Sequence, residues 1–134
     1  MYNKLKQISE ENNWVFNYAR RDFANLLNQA EGNNTYLFLD PIQTSTDFDD
    51  YGNAESQTFT GSFMILKSSN LDEGYEERYL TDIKPLIDSQ LKLVEESFAC
   101  SDYIIESWTT TSIINLFDWG YDGIVVKYSV SKSN

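Results

Sequence analysis

Residues 57–68 read Gln-Thr-Phe-Thr-Gly-Ser-Phe-Met-Ile-Leu-Lys-Ser. Phe59, Gly61, Phe63 and Ile65 fall on one side of an extended chain, and Met64 and Leu66 on the other. A period of two with apolar residues on both sides at one end predicts a strand near the middle of a sheet. Upstream, Tyr36-Leu37-Phe38-Leu39 is a near-continuous apolar run stopped by Asp40-Pro41. It reads as a second strand, buried on both faces. Residues 43–56 are polar, acidic and contain one glycine, and read as a long loop or hairpin tip. Two antiparallel strands carrying a protruding tip are the expected result.

Further along the chain the period changes. Leu80, Ile83, Leu86, Ile87, Leu91, Val94 and Phe98 recur at helical spacing, so 79–98 is the main amphipathic helix. Pro85 lies inside it, marking either the helix start or a kink. The segment 69–77 is a polar connection. Cys100-Ser101-Asp102 ends the helix, 103–117 reads as a strand through Ile104, Trp108, Ile113, Ile114 and Leu116, and 124–130 reads as the last strand. Between these, Asp118 to Gly123 is a turn cluster, with Asp-Gly suited to the positive φ of a hairpin.

Ahead of the first strand, 2–12 is a short amphipathic helix with Leu5 and Ile8 on one face. Asn12-Asn13 interrupts it, and Trp14 to Tyr18 reads as extended. A second helix over 21–30 uses Phe23, Leu26, Leu27 and Ala30 and stops at Gly32-Asn33-Asn34. A continuous helix over 3–30 is the rival reading. The pattern α(α)ββαββ defines one α+β domain over 1–134: a mainly antiparallel sheet of four or more strands against an N-terminal helical segment and a long amphipathic helix.

Composition restricts function. The 134 residues include no histidine and one cysteine, Cys100, with 21 acidic against 10 basic residues, a net charge of −11. The commonest proton shuttle and zinc ligand is missing, so the reading favours a protein that packs and assembles over an enzyme. No internal disulfide is possible with one cysteine, and no cofactor or metal is expected. Neither a signal-peptide core nor an apolar run long enough for a membrane span is visible, so the cytosol, or a particle assembled there, is the expected location. The net charge opposes specific nucleic-acid binding. From Asp22 to Leu66 there are seven acids and no Lys or Arg. This is either a solvated acidic lobe or a surface that repels or mimics DNA. Nine Tyr, eight Phe and three Trp fill a core or anchor interfaces.

No motif points firmly to catalysis. Asp47-Phe48-Asp49-Asp50-Tyr51-Gly52 has the start of a calcium loop, but position five is Tyr51 and position twelve Thr58. Asp118 to Gly123 fails in the same way, and turn chemistry accounts for both. Ser89-Gln90-Leu91-Lys92 matches S-x-x-K without its companion motifs, and reads as solvent-facing helix. Arg20-Arg21 is the one adjacent basic pair. Chance alone puts many of the 21 carboxylates near one another, which removes weight from a glycosidase-like pair.

Several strings together resemble the small tail-completion or tail-terminator proteins of tailed bacteriophages. They are the N-terminal helix before Trp14 to Tyr18, Tyr36-Leu-Phe-Leu-Asp-Pro41, Phe59-Thr-Gly61-Ser-Phe63-Met-Ile-Leu66, Asp82-Ile-Lys-Pro85-Leu, and Ile114-Asn-Leu-Phe-Asp118 before Asp122-Gly123-Ile-Val-Val126. The resemblance implies a virion structural protein that forms a homo-oligomeric ring at the head–tail junction or neck. Its partners would be other neck, connector or tail-tube proteins, with DNA passing through an acidic channel. The candidate assembly or lumen-facing residues are Asp47, Asp49, Asp50, Tyr51 and Glu55 in the tip. The alternative is a small acidic inhibitor or DNA mimic that binds a basic host protein.

Overall fold

The computed structural model describes residues 1–18, 35–68, 74–116 and 121–133. The helix expected over 21–30, its stop signal and Arg20-Arg21 lie outside the described residues, as do 69–73 of the polar connection, Phe117 at the end of the expected strand and 118–120 of the turn cluster.

The elements are α1 (Tyr2–Glu11), β1 (Val15–Tyr18), β2 (Tyr36–Leu39), β3 (Gln43–Phe48), β4 (Ala54–Ser68), a helical segment α2 over 75–99, β5 (Ile104–Leu116) and β6 (Tyr121–Ser133). The fold is α+β. Among the described residues six strands form one sheet in the order β1-β2-β4-β6-β5, and β3 pairs with β4 on the side that also carries β2. β1 and β2 run parallel; every other pairing is antiparallel. The sheet is therefore mixed.

Helix α1 ends where the asparagines predict. Asn13 takes φ 59°, its N–H donates to the Glu10 carbonyl, and the Trp14 N–H donates to the Ser9 carbonyl at 2.8 Å. This left-handed closure satisfies the last carbonyls of the helix. The Asn12 side chain adds a bond to the Ile8 carbonyl at 2.8 Å. A continuous helix over 3–30 is thereby overturned, since Val15–Tyr18 is a strand.

Segment α2 starts earlier than 79 and passes straight through Pro85. Proline has no N–H and its ring crowds the carbonyl four residues back. The chain answers with wider turns on either side, π-helical over Tyr79–Ile83 and Leu86–Leu91. The Lys84 N–H reaches back five residues to the Tyr79 carbonyl. A wide turn also rotates the apolar stripe: Ile83, Leu86, Leu91, Val94 and Phe98 are buried, while Leu80, expected among them, is 54% exposed.

One sheet face packs on the helices. Leu37, Leu39, Phe63, Ile65, Ile124, Val126, Tyr128 and Val130 meet Leu5 and Ile8 of α1 and the stripe of α2. The opposite face buries a smaller group, Phe38, Met64, Leu66, Tyr121 and Val125. Both sides of 63–66 are thus buried, as the sequence implies.

The strands are longer than expected. β4 begins at Ala54 and β6 runs over Tyr121–Ser133, so Asp122-Gly123 is strand and not hairpin turn. Gly123 does not take a positive φ; among the described glycines only Gly52 does, at 81°. Its role is space. A Cβ there would collide with the Ile65 carbonyl oxygen and lie 2.9 Å from Leu66 Cα. Beside it, Asp122 is fully buried and accepts two hydrogen bonds from Arg78, from Nε and Nη2, each 2.8 Å. This planar fork ties the first turn of α2 to the start of β6.

Breaking one side of a buried ion pair strands the other charge in the core, at a cost of about 3–5 kcal/mol. Asp122→Ala should lose stability in that range in urea unfolding. Joint replacement of Arg78 and Asp122 by apolar residues of similar size should recover much of the loss.

Candidate functional site

The acidic tip is a hairpin with a short, well-bonded turn. Of the 43–56 stretch, 43–48 is β3 and 54–56 already belongs to β4, so the loop is only 49–53. The strand escapes sequence reading because Gln43 to Phe48 contains almost nothing to bury. One edge of its backbone pairs with β4, with Gln43 opposite Thr60 and Asp47 opposite Ser56.

Asp49 organises the turn. Its N–H donates to the Asn53 carbonyl at 2.9 Å, and its carbonyl accepts from the Gly52 N–H at 3.0 Å. The carboxylate Oδ1 accepts from the backbone N–H groups of Tyr51 and Asn53, both at 2.9 Å. These bonds, the one from Asn53 first, hold the Asp49 carboxyl below the ordinary aspartate range. Asp47 Oδ2 accepts a bond from Ser56 Oγ at 3.2 Å. Glu55 is the extra residue of a bulge between the Asp47–Ser56 and Phe48–Ala54 pairs. Asp50 and Glu55 are exposed, Phe48 is 63% exposed and Tyr51 is 91% exposed.

All five candidate residues, Asp47, Asp49, Asp50, Tyr51 and Glu55, therefore sit together on one tip. Four carboxylates and two bare aromatic rings can repel phosphate or insert into a partner, with apolar contact from Phe48 and Tyr51 and charge around them. Asp49 Oδ1 accepting two backbone N–H bonds is the turn chemistry expected of this stretch. Among the described residues no group of three or more Cys, Asp or Glu is placed to hold a metal ion. Ser89 Oγ donates to the Pro85 carbonyl at 2.7 Å from an exposed helix position, as the solvent-facing reading has it.

A second exposed surface lies along β5. Ile104 stands among the apolar members of the strand over 103–117, yet it is 60% exposed and Ile105 beside it is 38% exposed. Glu106, Ser107 and 109–112 are exposed as well. The signal is present in the run Thr109-Thr110-Thr111-Ser112, which has no apolar alternation and so buries neither face. β5 is the terminal strand of the sheet, without the lysines or prolines that usually blunt an edge.

Between tip and core, the chain bulges. Leu39 faces Phe63 but Gln43 faces Thr60, so Asp40, Pro41 and Ile42 stand opposite Gly61 and Ser62. Ser62 Oγ donates to Asp40 Oδ2 at 2.7 Å. On the helix side, the ring of Tyr128 lies across Gly61; a Cβ at Gly61 would be 2.9 Å from the Tyr128 hydroxyl. Gly61 is thus empty for a side chain, where a close backbone would also have required it. Among the described residues that buried hydroxyl has no hydrogen-bond partner. Burial first, then the charge of Asp40, pushes its pKa far above the ordinary tyrosine value.

No protein-family model matches this chain. A comparison with curated proteins finds no match either.

Tyr128→Phe removes a desolvated, unpaired hydroxyl and should leave stability unchanged or slightly higher. Gly61→Ala should destabilise alone and be partly rescued by Tyr128→Phe, a coupling that denaturant titration of the four-member cycle measures. In the tip, the folded Asp49 pKa is depressed, so its contribution to turn order is complete above the unfolded value. It disappears as pH falls through the lower folded one. The amide signals of Tyr51 and Asn53 should move together in that acid window, and Asp49→Ala should abolish the transition.

Proposed function

We propose that this chain is a ring-forming structural subunit of the neck or tail-terminator region of a tailed bacteriophage, and that it has no catalytic role. The observation that carries the reading is the hairpin end of the sheet. There an acidic tip with exposed Phe48 and Tyr51 stands beside long exposed strand edges. Apolar tip residues ringed by carboxylates suit insertion into an adjoining subunit, and a ring of such tips lines a channel with negative charge. DNA passes through such a channel without sticking, because its phosphates are repelled. The resemblance to tail-completion proteins supplies the biological setting, the virion assembled in host cytoplasm.

The runner-up is a DNA mimic. It draws on the same tip, where Asp47, Asp49, Asp50 and Glu55 lie within nine residues. Under that reading the protein works as a monomer or dimer bound to one basic host protein.

Electron microscopy and native mass measurement of the purified chain should show closed rings under the first reading. The triple variant Asp47→Asn, Asp49→Asn and Asp50→Asn should keep the fold, since asparagine still accepts the two tip hydrogen bonds at position 49 and exposed charges add little stability. Particle assembly or DNA retention should suffer. Normal particles combined with lost binding to one basic host protein would instead support the mimic.

A further inference from the structure

Two exposed strand edges lie at one level of the sheet, on opposite sides. Reading across, Ser45 of β3 pairs with Thr58, Thr58 with Ser131, and Ser131 with Ile104 of β5. One step along, Gln43, Thr60, Ser129 and Ser107 stand in a row. At this level the sheet is four strands wide, and every neighbour is antiparallel. Four is even, so β3 and β5 run in opposite directions. A second copy in the same orientation would therefore bring its β3 alongside β5 as another antiparallel pair.

Charge points to the same contact. Each copy carries −11, which opposes close approach over most of the surface. β3 carries one charge, Asp47, and 104–112 carries one, Glu106. Glu106 is the extra residue of a bulge between Ile105 and Ser107 and accepts a long bond from Ser129 Oγ at 3.4 Å. The remainder of both edges is Ser, Thr, Gln and apolar side chains.

We infer that the β5 edge, from Ile104 onward, takes the β3 edge of a second copy of this chain as an added antiparallel strand, head to tail. This rests on the ring reading and specifies its joint. Head-to-tail pairing satisfies both edges at once, and it makes a ring when the rotation from copy to copy closes. Two-fold pairing of β5 with β5 would leave each β3 edge open.

The test uses the full chain with Cys100→Ser, which removes the single native thiol. Ser45→Cys is combined in turn with Ile104→Cys, Ser107→Cys and Thr109→Cys, covering the level register and its shifts toward longer overlap. All four positions are exposed, and Ser45, Ile104, Ser107 and Thr109 share one face of the sheet. At least one double variant should oxidise to a ladder of covalent oligomers ending at a fixed size and collapsing on reduction. Hydrogen exchange of the unmodified chain, dilute against assembled, should show new protection at both 43–48 and 104–112. Covalent dimers from Ile104→Cys, Ser107→Cys or Thr109→Cys without Ser45→Cys, with protection at 104–112 only, would overturn the inference in favour of a two-fold contact. Rings that form with neither cross-link nor protection at these edges would sink this joint while leaving the ring reading standing. A chain that stays monomeric at millimolar concentration would remove both.

Discussion

The β4–β6 ladder is the constraint on which the rest of the structure depends. It runs without a break from Ser56 opposite Ser133 to Ser68 opposite Tyr121. Apart from β1, which pairs with β2, every other element takes its position from one of these two strands. β2 and β3 share one edge of β4, β5 takes the far edge of β6, and the helices pack on the face that both strands present. The ladder in turn depends on two adjacent residues near its end. Gly123 lets the β6 backbone approach Ile65 and Leu66 where a side chain has no room. Asp122 binds Arg78 and sets where α2 begins to cross the sheet. One residue supplies absence of volume and its neighbour supplies a buried charge. Neither is replaceable by a residue chosen for strand propensity alone.

Much of this architecture can be read from residue spacing. The period-two pattern over 57–68 and the helical stripe through Phe98 each bury one face against the other, and burial leaves a periodic trace in sequence. Asn12-Asn13 was readable because the left-handed turn it forms is a local event. Three features left no such trace. β3 is held by backbone hydrogen bonds to β4, which any polar side chain permits. The Arg78–Asp122 pair joins residues 44 positions apart, and nothing local marks either one as buried. Asp122-Gly123 imitates a turn signal because the residue pair that suits a positive φ also suits a strand needing close backbone approach. The tip residues were legible as a group, since an acidic stretch without cations is a matter of composition. The bonding that makes Asp49 the organiser of the turn was not.

The two ends of the sheet differ in how they are stabilised. At the 63–66 level the sheet is covered on both faces, and full burial of a side chain such as Phe63 contributes roughly 1.5–3 kcal/mol. At the level of Ser45 and Ile104 little is buried, and the strands persist because they extend ladders anchored in the core. A segment held that way adds little to the stability of the fold. Its cost is an open hydrogen-bonding edge, which soluble proteins ordinarily blunt with charge or proline. Here β3 has one carboxylate and the exposed part of β5 another.

That distribution separates two uses of charge within one chain. The tip concentrates Asp47, Asp49, Asp50 and Glu55, while the flanking edges are nearly uncharged. If the whole surface were evenly acidic, solubility would be served and no contact between copies favoured. Four of the 21 acids stand at the tip and the edges carry little charge; in the proposed head-to-tail pairing, neighbouring tips would come into a common array. In such an array the negative potentials of the tips add, screened beyond about 8–10 Å at ordinary salt. A charged hairpin on an isolated subunit is a modest electrostatic feature. Repeated around the proposed ring, it would become a continuous barrier to phosphate adhesion, with the edges of β3 and β5 as the joints that repeat it.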